Sequence, residues 1–174
     1  MYSTEPTIQN DLREFIAAVE KRGELAHVKN AHWERELGAV TEVLYRQKVE
    51  KAPMLLFDDI PDYPRGHRCA YGMFGSPYRL SLVLGMEPSL SDNRKEMLDH
   101  YRKQIKKTFK RIPPKMVKDG PVLENIVRDG DIDLLKLPVP VHHENDGGRY
   151  IGTACGVVTR DPDTRSEEPR LNSS

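Results

Sequence analysis

The residues best suited to chemistry lie in one short segment late in the chain. His142 and His143 are followed by Glu144, by Asp146 and, after two glycines, by Arg149. Imidazoles and carboxylates are ligands for divalent metals, and an arginine can hold a carboxylate or a phosphate through two hydrogen bonds. However, adjacent residues on an extended chain point to opposite sides, and the helical spacings HxxxH and HExxH are absent from the sequence. We therefore expect a polar turn here, with an ordinary turn arginine, rather than a complete metal site.

The turn leads into an apparent strand. Gly147 and Gly148 allow backbone conformations that other residues avoid, and they permit the close approach of another segment or a ligand. The pattern predicts a strand over residues 150–159, with small residues on one face at Gly152, Ala154 and Gly156. Such a flat face suits either close packing or a planar ring lying against it, and the period-two pattern favours neither.

Composition excludes several classes of function. The 174 residues carry 27 basic and 27 acidic side chains, so no net charge attracts the chain to nucleic acid or to an anionic membrane. No apolar run approaches the roughly 18 residues that span a bilayer, and a secretory signal is not visible. Cys69 and Cys155 lack a CxxC spacing and are expected to be reduced thiols. We expect a cytoplasmic protein.

A basic run between residues 102 and 115 is the one feature that could bind a phosphate backbone. Glu96 and Asp99 lie in the same predicted helix, and no aromatic residues alternate with the basic ones. A solvated helix face is therefore expected, and binding of nucleic acid is not.

Helices and strands alternate over the first part of the chain. Leu12, Phe15, Ile16 and Val19 form one apolar stripe of a helix. Thr7 or Asn10 is expected to cap this helix at its start, and Gly23 at its end. Strands are predicted over residues 24–28, 53–57 and 68–72, and helices over 37–45 and 78–84, the latter with Ser76 as N-cap and Pro77 at its first position. This alternation predicts an α/β layer.

A polar helix is predicted over residues 92–109. Met97, Tyr101, Ile105 and Phe109 recur at every fourth position and are expected to dock one narrow face on the body. The double proline at 113–114 ends this pattern. A domain boundary is expected near residues 110–121.

The order of these segments resembles the UbiD family of decarboxylases, which use prenylated FMN. The resemblance covers residues 8–164. Its pieces are Asp-Leu-Arg-Glu-Phe-Ile at 11–16, Arg-Gly-Glu-Leu at 22–25, Pro-Met-Leu-Leu-Phe at 53–57, Met-Phe-Gly-Ser-Pro at 73–77 with Arg79 and Leu80, Asp-Ile-Asp-Leu-Leu-Lys-Leu-Pro at 131–138, and Asp-Gly-Gly-Arg-Tyr-Ile at 146–151 running to Thr164.

The resemblance implies an α/β fold: a small α/β N-terminal domain, residues 1–112, followed by the first strands of an incomplete split β-barrel of the flavin-reductase type, residues 113–174. It implies reversible, non-oxidative decarboxylation of aromatic or α,β-unsaturated carboxylic acids, with prenylated FMN and manganese as cofactors. Asn172 is the one position similar to the family's asparagine that binds metal and cofactor. The family's catalytic residues have no counterpart in the chain.

Two expectations follow for function. The turn at 161–165 lacks the family's glycine, and the chain ends soon after Asn172, so we expect an incomplete fragment that is inactive by itself. The alternative is a non-catalytic interaction or oligomerisation module. In that case exposed strand edges after Pro121 would pair with a partner or with a second copy, which also predicts a homo-oligomer.

Overall fold

The first part of the chain folds around a three-stranded sheet. The structure is a computed structural model that describes residues 9–47, 52–108, 113–151, 156–161, 163–164 and 167–171. Its first elements are α1 (Leu12–Lys21), β1 (Leu25–Lys29), α2 (Glu36–Gln47), β2 (Met54–Asp58) and β3 (Cys69–Tyr71). β2 lies in the middle of the sheet, parallel to β1 and antiparallel to β3. The predicted α/β layer is confirmed.

Helix α1 begins and ends on local signals. The Asp11 side chain accepts hydrogen bonds from the backbone N–H groups of Arg13 and Glu14, so Asp11 is the N-cap. The prediction of Thr7 or Asn10 as the cap was wrong for Asn10, whose backbone and side-chain N–H groups donate to Glu14 instead; Thr7 lies outside the described residues. Gly23 has a φ of +76°, as expected for the glycine that ends a helix.

Strand β2 is the centre of the core. All four residues 54–57 are buried, and alternate side chains enter different clusters. Leu55 and Phe57 pack with Leu37 of α2 on one side of the sheet. Met54 packs with residues of α1 and of the third helix on the other side. The sheet is therefore covered by helices on both faces.

Helix α3 (Pro77–Val83) contributes a buried arginine to this core. Ser76 caps the helix as predicted, accepting a hydrogen bond from the backbone N–H of Arg79 at 3.1 Å. The Arg79 side chain is fully buried. It donates to the backbone oxygen of Ala52 at 2.7 Å and lies 3.5 Å from the Glu24 carboxylate. Arg79 thus links α3 to the chain just before β1 and to the chain just before β2.

Helix α4 (Arg94–Thr108) follows a 3-10 turn at Pro88–Asp92. Its predicted narrow docking face is only partly present: Met97 is buried, Tyr101 is half-buried and Ile105 is exposed, and Phe109 lies outside the described residues. Steps of four residues advance about 400° around a helix, so successive side chains drift away from one face. In the described part of the chain, no helix has the length and apolar character to cross a membrane.

Beyond α4 the described backbone forms 3-10 turns before any strand. The turns are at Pro121–Leu123, Asp129–Asp131 and Leu134–Lys136, and β4 (Gly156–Arg160) then pairs antiparallel with β5 (Glu167–Leu171). The predicted strand over 150–159 was too long, because Tyr150 and Ile151 are not in a strand; its residues 152–155 lie outside the described part. Residues 121–151 contain no strand, so the described strands after Pro121 are β4 and β5.

Candidate functional site

The segment of residues 137–150, hereafter the docked segment, folds back onto the loop between β1 and α2. The backbone N–H of Val141 donates to the oxygen of Trp33 at 3.3 Å, and the Val141 oxygen accepts from the N–H of Arg35 at 3.2 Å. These bonds make a single parallel bridge between Glu34 and Val141. The polar turn identified from the sequence therefore has a fixed place on the α/β layer.

Asp146 organises this turn through its carboxylate. One of its oxygens accepts hydrogen bonds from the backbone N–H groups of His142 and His143, at 3.0 and 2.9 Å. These N–H groups, first that of His143, lower the pKa of Asp146 below its usual value because they stabilise the charged form. The carboxylate thus stabilises the backbone of the turn, as the expectation of a polar turn requires.

His142 faces an aromatic cluster. Its Nε2 lies 3.1 Å from the Tyr71 hydroxyl, and its ring meets the rings of Tyr71 and Tyr150 edge to face. Burial lowers the pKa of His142 below the usual value, so the ring is neutral at pH 7. The backbone of His142 also packs against Gly38 of α2, where a Cβ atom would lie 2.5 Å from the His142 oxygen. Only a glycine allows this close approach without displacement.

His143 is exposed and faces other groups. Its Nε2 lies 3.6 Å from the Glu42 carboxylate, and its Nδ1 lies 3.7 Å from Asp146. The two histidines therefore contact different neighbours, in agreement with the argument from alternating side chains. Within the described ranges, no group of three His, Cys, Asp or Glu side chains is arranged to hold a metal ion.

Arg149 joins the docked segment to the α/β layer. Its guanidinium lies 3.6 Å from the centre of the Trp33 ring, and it donates to the Tyr63 hydroxyl at 2.6 Å. The Trp33 indole N–H donates in turn to Asp62 at 3.2 Å. Arg149 is thus a structural contact in this structure. Sequence reasoning missed both of its partners, Trp33 and Tyr63, although the presence of only one tryptophan was a signal that it could have used.

An open cleft of about 750 Å³ lies between β3 and the docked segment. This volume is in the range of ligand sites, which is about 300–1,000 Å³. The side chains that line it are mainly apolar or aromatic, and they include Cys69, Tyr71, Phe74, Val139, His142 and Tyr150. The cleft is therefore large enough for a small ligand, and most of its surface is apolar.

Burial keeps three groups of the cleft, Cys69, Tyr71 and His142, in their neutral forms at pH 7. Burial raises the pKa of the Cys69 thiol to about 11, and that thiol donates to the Pro138 oxygen at 2.9 Å. Burial also raises the pKa of Tyr71. These three groups offer hydrogen bonds without a charge. Arg68 also lines the cleft, and its Nε lies 3.9 Å from the Asp58 carboxylate.

The described residues by themselves do not supply a ligand set for the metal that the resemblance implies. The cleft has no carboxylate among its lining residues, and manganese prefers carboxylate oxygens; nor, among the residues that the structure describes, are three His, Cys, Asp or Glu side chains grouped to hold an ion. Asn172, the predicted ligand for metal and cofactor, lies outside the described residues.

Comparison with known families gives two matches in chain order. Residues 16–95 match the 3-octaprenyl-4-hydroxybenzoate carboxy-lyase (UbiD) N-terminal domain. Residues 115–169 match the Rift-related domain of the same carboxy-lyase.

Individual proteins and structures agree with these matches. The chain is 32% identical to pyrrole-2-carboxylic acid decarboxylase from Pseudomonas aeruginosa, over 88% of this chain and 31% of that protein. It is 35% identical to an uncharacterised protein of Aquifex aeolicus, over 88% of this chain and 33% of the other. The structure of vanillic acid decarboxylase from Sedimentibacter hydroxybenzoicus in its closed form matches with a TM-score of 0.72 and 30% identity, over 90% of this chain and 32% of that one.

The chain thus spans about a third of the length of the curated relatives that it matches. Both matched domains, the identities and the structural likeness point to one family of decarboxylases. The chain belongs to the UbiD family of carboxy-lyases and corresponds to the N-terminal portion of its proteins.

Proposed function

We propose that this chain is the N-terminal part of a reversible, non-oxidative decarboxylase that acts on aromatic or α,β-unsaturated carboxylic acids with prenylated FMN and manganese. The observation that carries the proposal is the structural likeness to vanillic acid decarboxylase over 90% of this chain. The two relatives with named substrates, pyrrole-2-carboxylic acid and vanillic acid, support the substrate class, because both substrates bear a carboxyl group on an aromatic ring.

In this proposal the chain has two domains with different tasks. Residues 1–112 form the small α/β domain, and residues 113–174 begin the split β-barrel that binds the flavin. The antiparallel pair of β4 and β5 supports such a beginning. The docked segment positions the start of the second domain against the α/β domain. It does so through the contacts of Arg149 with Trp33 and of His142 with Tyr71.

Asn172 is the residue that we propose as a ligand of both the metal and the cofactor. A lone asparagine cannot hold a divalent ion, because such ions take four or more ligands. The other ligands and the catalytic acid–base groups would come from the parts of the family fold that this chain does not span. We therefore propose that the 174-residue chain does not turn over substrate by itself.

The test compares this chain with a chimera. In the chimera, the chain replaces the matching third of the Pseudomonas aeruginosa decarboxylase. The chimera and the 174-residue chain are each supplied with prenylated FMN and Mn²⁺. We expect the chimera to release CO₂ from pyrrole-2-carboxylate and the chain alone to release none. We also expect Asn172→Ala in the chimera to weaken cofactor retention, measured by flavin absorbance after gel filtration.

The controls separate the two parts of the proposal. The intact Pseudomonas protein, loaded in parallel, shows that the cofactor preparation is competent. Turnover by the 174-residue chain alone would refute its dependence on the rest of the fold. A folded chimera that binds flavin and releases no CO₂ would count against the decarboxylase function.

The alternative function is a non-catalytic interaction or oligomerisation module. One specific observation favours it: the residues between α4 and the docked segment expose large apolar side chains, with Met116 at 90% and Val122 at 85% exposure. Exposed apolar patches commonly mark interaction sites. A chain that remains monomeric in gel filtration over a wide range of concentrations would contradict this alternative.

A further inference from the structure

Large side chains that water still reaches form the walls of the cleft between β3 and the docked segment. Phe74 is 61% exposed and Ile151 is 71% exposed. The rings of Tyr71, His142 and Tyr150 line the same cleft, and His142 meets both tyrosines edge to face. Exposed apolar surface commonly marks a binding site, and an aromatic ligand gains from neighbouring rings in addition to the burial of its own area. The walls therefore favour a ligand that carries an aromatic ring.

The charges of the cleft favour a ligand without a charge. Burial raises the pKa of Cys69 and of Tyr71 and lowers that of His142, so these three groups are neutral at pH 7. Among the described lining residues, the one side chain with a permanent charge is Arg68, and its Nε lies 3.9 Å from the Asp58 carboxylate. A ligand carboxylate would lose water here and would meet an arginine that already faces a carboxylate.

A hydrogen-bonding pair lies among the rings of the cleft. The Tyr71 hydroxyl and the His142 Nε2 are 3.1 Å apart. A hydroxyl can donate one hydrogen bond and can also accept, so in either tautomer of His142 the Tyr71 hydroxyl retains bonding capacity for a ligand. A phenolic hydroxyl both donates and accepts, and it therefore suits both tautomers.

We propose that this cleft is a binding site for a small uncharged aromatic molecule that carries a hydroxyl group, of the phenol class. The ring of the ligand packs against Phe74 and Ile151, and its hydroxyl bonds the Tyr71 hydroxyl. The binding rests on the cleft alone. One consequence rests on the proposed function: an aromatic hydroxy acid that loses its carboxylate becomes a molecule of this class, so the site takes the product rather than the substrate.

The test compares three probes of similar size on the 174-residue chain without cofactor: phenol, benzoate and cyclohexanol. Ligand-detected NMR at pH 7 gives the dissociation constants. We expect phenol to saturate one site with a dissociation constant of about 1 mM, because so small a ligand has few atoms with which to bind. Benzoate is expected to bind at least about tenfold more weakly because it is charged, and cyclohexanol roughly three- to tenfold more weakly because it lacks the aromatic ring.

Two variants test the wall and the hydroxyl separately. Phe74→Glu places a charge in the exposed wall and should weaken phenol binding at least about tenfold. Leu12→Glu makes a similar change on the exposed surface of α1, and it should leave phenol binding unchanged. Tyr71→Phe keeps the ring and removes the hydroxyl, so it should weaken phenol binding roughly three- to tenfold and leave the binding of benzene unchanged.

Several results would overturn the proposal. They are phenol that does not saturate, phenol that binds no more tightly than benzoate, and a Phe74→Glu protein with the wild-type affinity for phenol. If Phe74→Glu loses its circular dichroism signal, Ile151→Glu replaces it, and an unchanged affinity then refutes the site. The binding is measured without cofactor or turnover, so a negative result here leaves the decarboxylase function standing, and an inactive chimera leaves the phenol site standing.

Discussion

Arg149 and Trp33 show how one residue pair can report on a whole segment. Trp33 is the single tryptophan of the chain, and its ring is covered by the guanidinium of Arg149. A cation that lies on an aromatic face contributes about 0.5–2 kcal/mol, depending on how far the pair is removed from water. The fluorescence of this tryptophan therefore measures whether the docked segment lies on the α/β layer.

Replacing Arg149 by methionine should release this contact. The side chain keeps a similar length but loses both the cation and the hydrogen bond to Tyr63. We expect the emission of Trp33 to shift to longer wavelength and acrylamide to quench it more strongly, because the ring becomes more exposed. Arg13→Met, on the exposed first turn of α1, is the matched control and should leave the emission unchanged. Identical emission spectra for both variants would contradict the contact between Arg149 and Trp33.

Gly38 is the residue that allows α2 to touch the docked segment. Alanine in place of a helical glycine usually stabilises a helix by about 1 kcal/mol. Here the new Cβ would lie 2.5 Å from the backbone oxygen of His142, so the segment must shift. We expect Gly38→Ala to lower the free energy of unfolding by about 1–3 kcal/mol, as other overpacked sites do. The measurement is urea unfolding followed by circular dichroism.

The matched control lies in the docked segment itself. Gly147 has no heavy atom within 4 Å of an added Cβ, and its φ is outside the left-handed range. Gly147→Ala should therefore leave the unfolding midpoint nearly unchanged. A Gly38→Ala protein as stable as wild type would show that the backbone of His142 does not pack on α2 as closely as described.

At the scale of elements, His27 in the middle of β1 joins this strand to the end of β2 and to α1. Its Nδ1 lies 2.8 Å from the Asp58 carboxylate of β2, and its Nε2 lies 3.4 Å from Glu20 of α1. The hydrogen bond to Asp58, followed by that to Glu20, raises the pKa of His27 above its usual 6.5. The charged ring thus ties β1 to β2 and to α1.

The stabilisation that the charged His27 ring provides decreases as pH rises. Because the pKa is higher in the folded than in the unfolded state, the stabilisation is complete below the unfolded value of about 6.5 and is lost as pH rises through the folded value. We expect His27→Gln to lower the melting temperature at about pH 5.5 and to lower it much less at about pH 8.5. A difference between variant and wild type that is constant over this range would refute the charged contact.

Arg79 joins α3 to the starts of β1 and β2. Its buried guanidinium bonds the Ala52 oxygen before β2 and lies beside Glu24 before β1, while its backbone belongs to α3. Arg79→Met leaves the Glu24 carboxylate without its cation and the Ala52 oxygen without its donor. We expect a loss of roughly 3–5 kcal/mol in the free energy of unfolding, the usual cost of breaking a buried charged contact. Arg46→Met, an exposed arginine of α2, is the control and should cost less than about 1 kcal/mol.

The sequence predicts elements well where the signal is local. Ser76 with Pro77, Gly23, and the apolar run of β2 each fixed an element to within about one or two residues. The residues around the docked segment were not predictable in this way. Tyr71 and His142 are 71 positions apart and Arg149 and Tyr63 are 86 apart, so no period along the chain relates them. Only the family resemblance indicated that residues 146–151 begin a further part of the fold.

At the scale of the whole molecule, charge and apolar surface are unevenly distributed although their totals are balanced. The net charge is zero, but α4 is basic and residues 119–135 are acidic. The three-stranded sheet buries its central strand on both faces, while the part between α4 and the docked segment keeps large apolar side chains in contact with solvent. The α/β layer is therefore the stable part, and the residues that follow α4 have their apolar surface available for other chains or further domains.

The contacts of the docked segment also set the order in which the chain can fold. The strands of the sheet pair with partners at most 29 positions away, whereas Arg149 must find Tyr63 across 86 residues. In a cell, a ribosome adding about 5–20 residues per second would complete this stretch on the order of ten seconds after Tyr63 is made. In refolding from urea, we expect far-ultraviolet circular dichroism to recover before Trp33 fluorescence, because closing the long loop comes after the local contacts. Simultaneous recovery of both signals would mean that the docked segment is part of the folding nucleus, and Trp33 would then be buried from the earliest steps of folding.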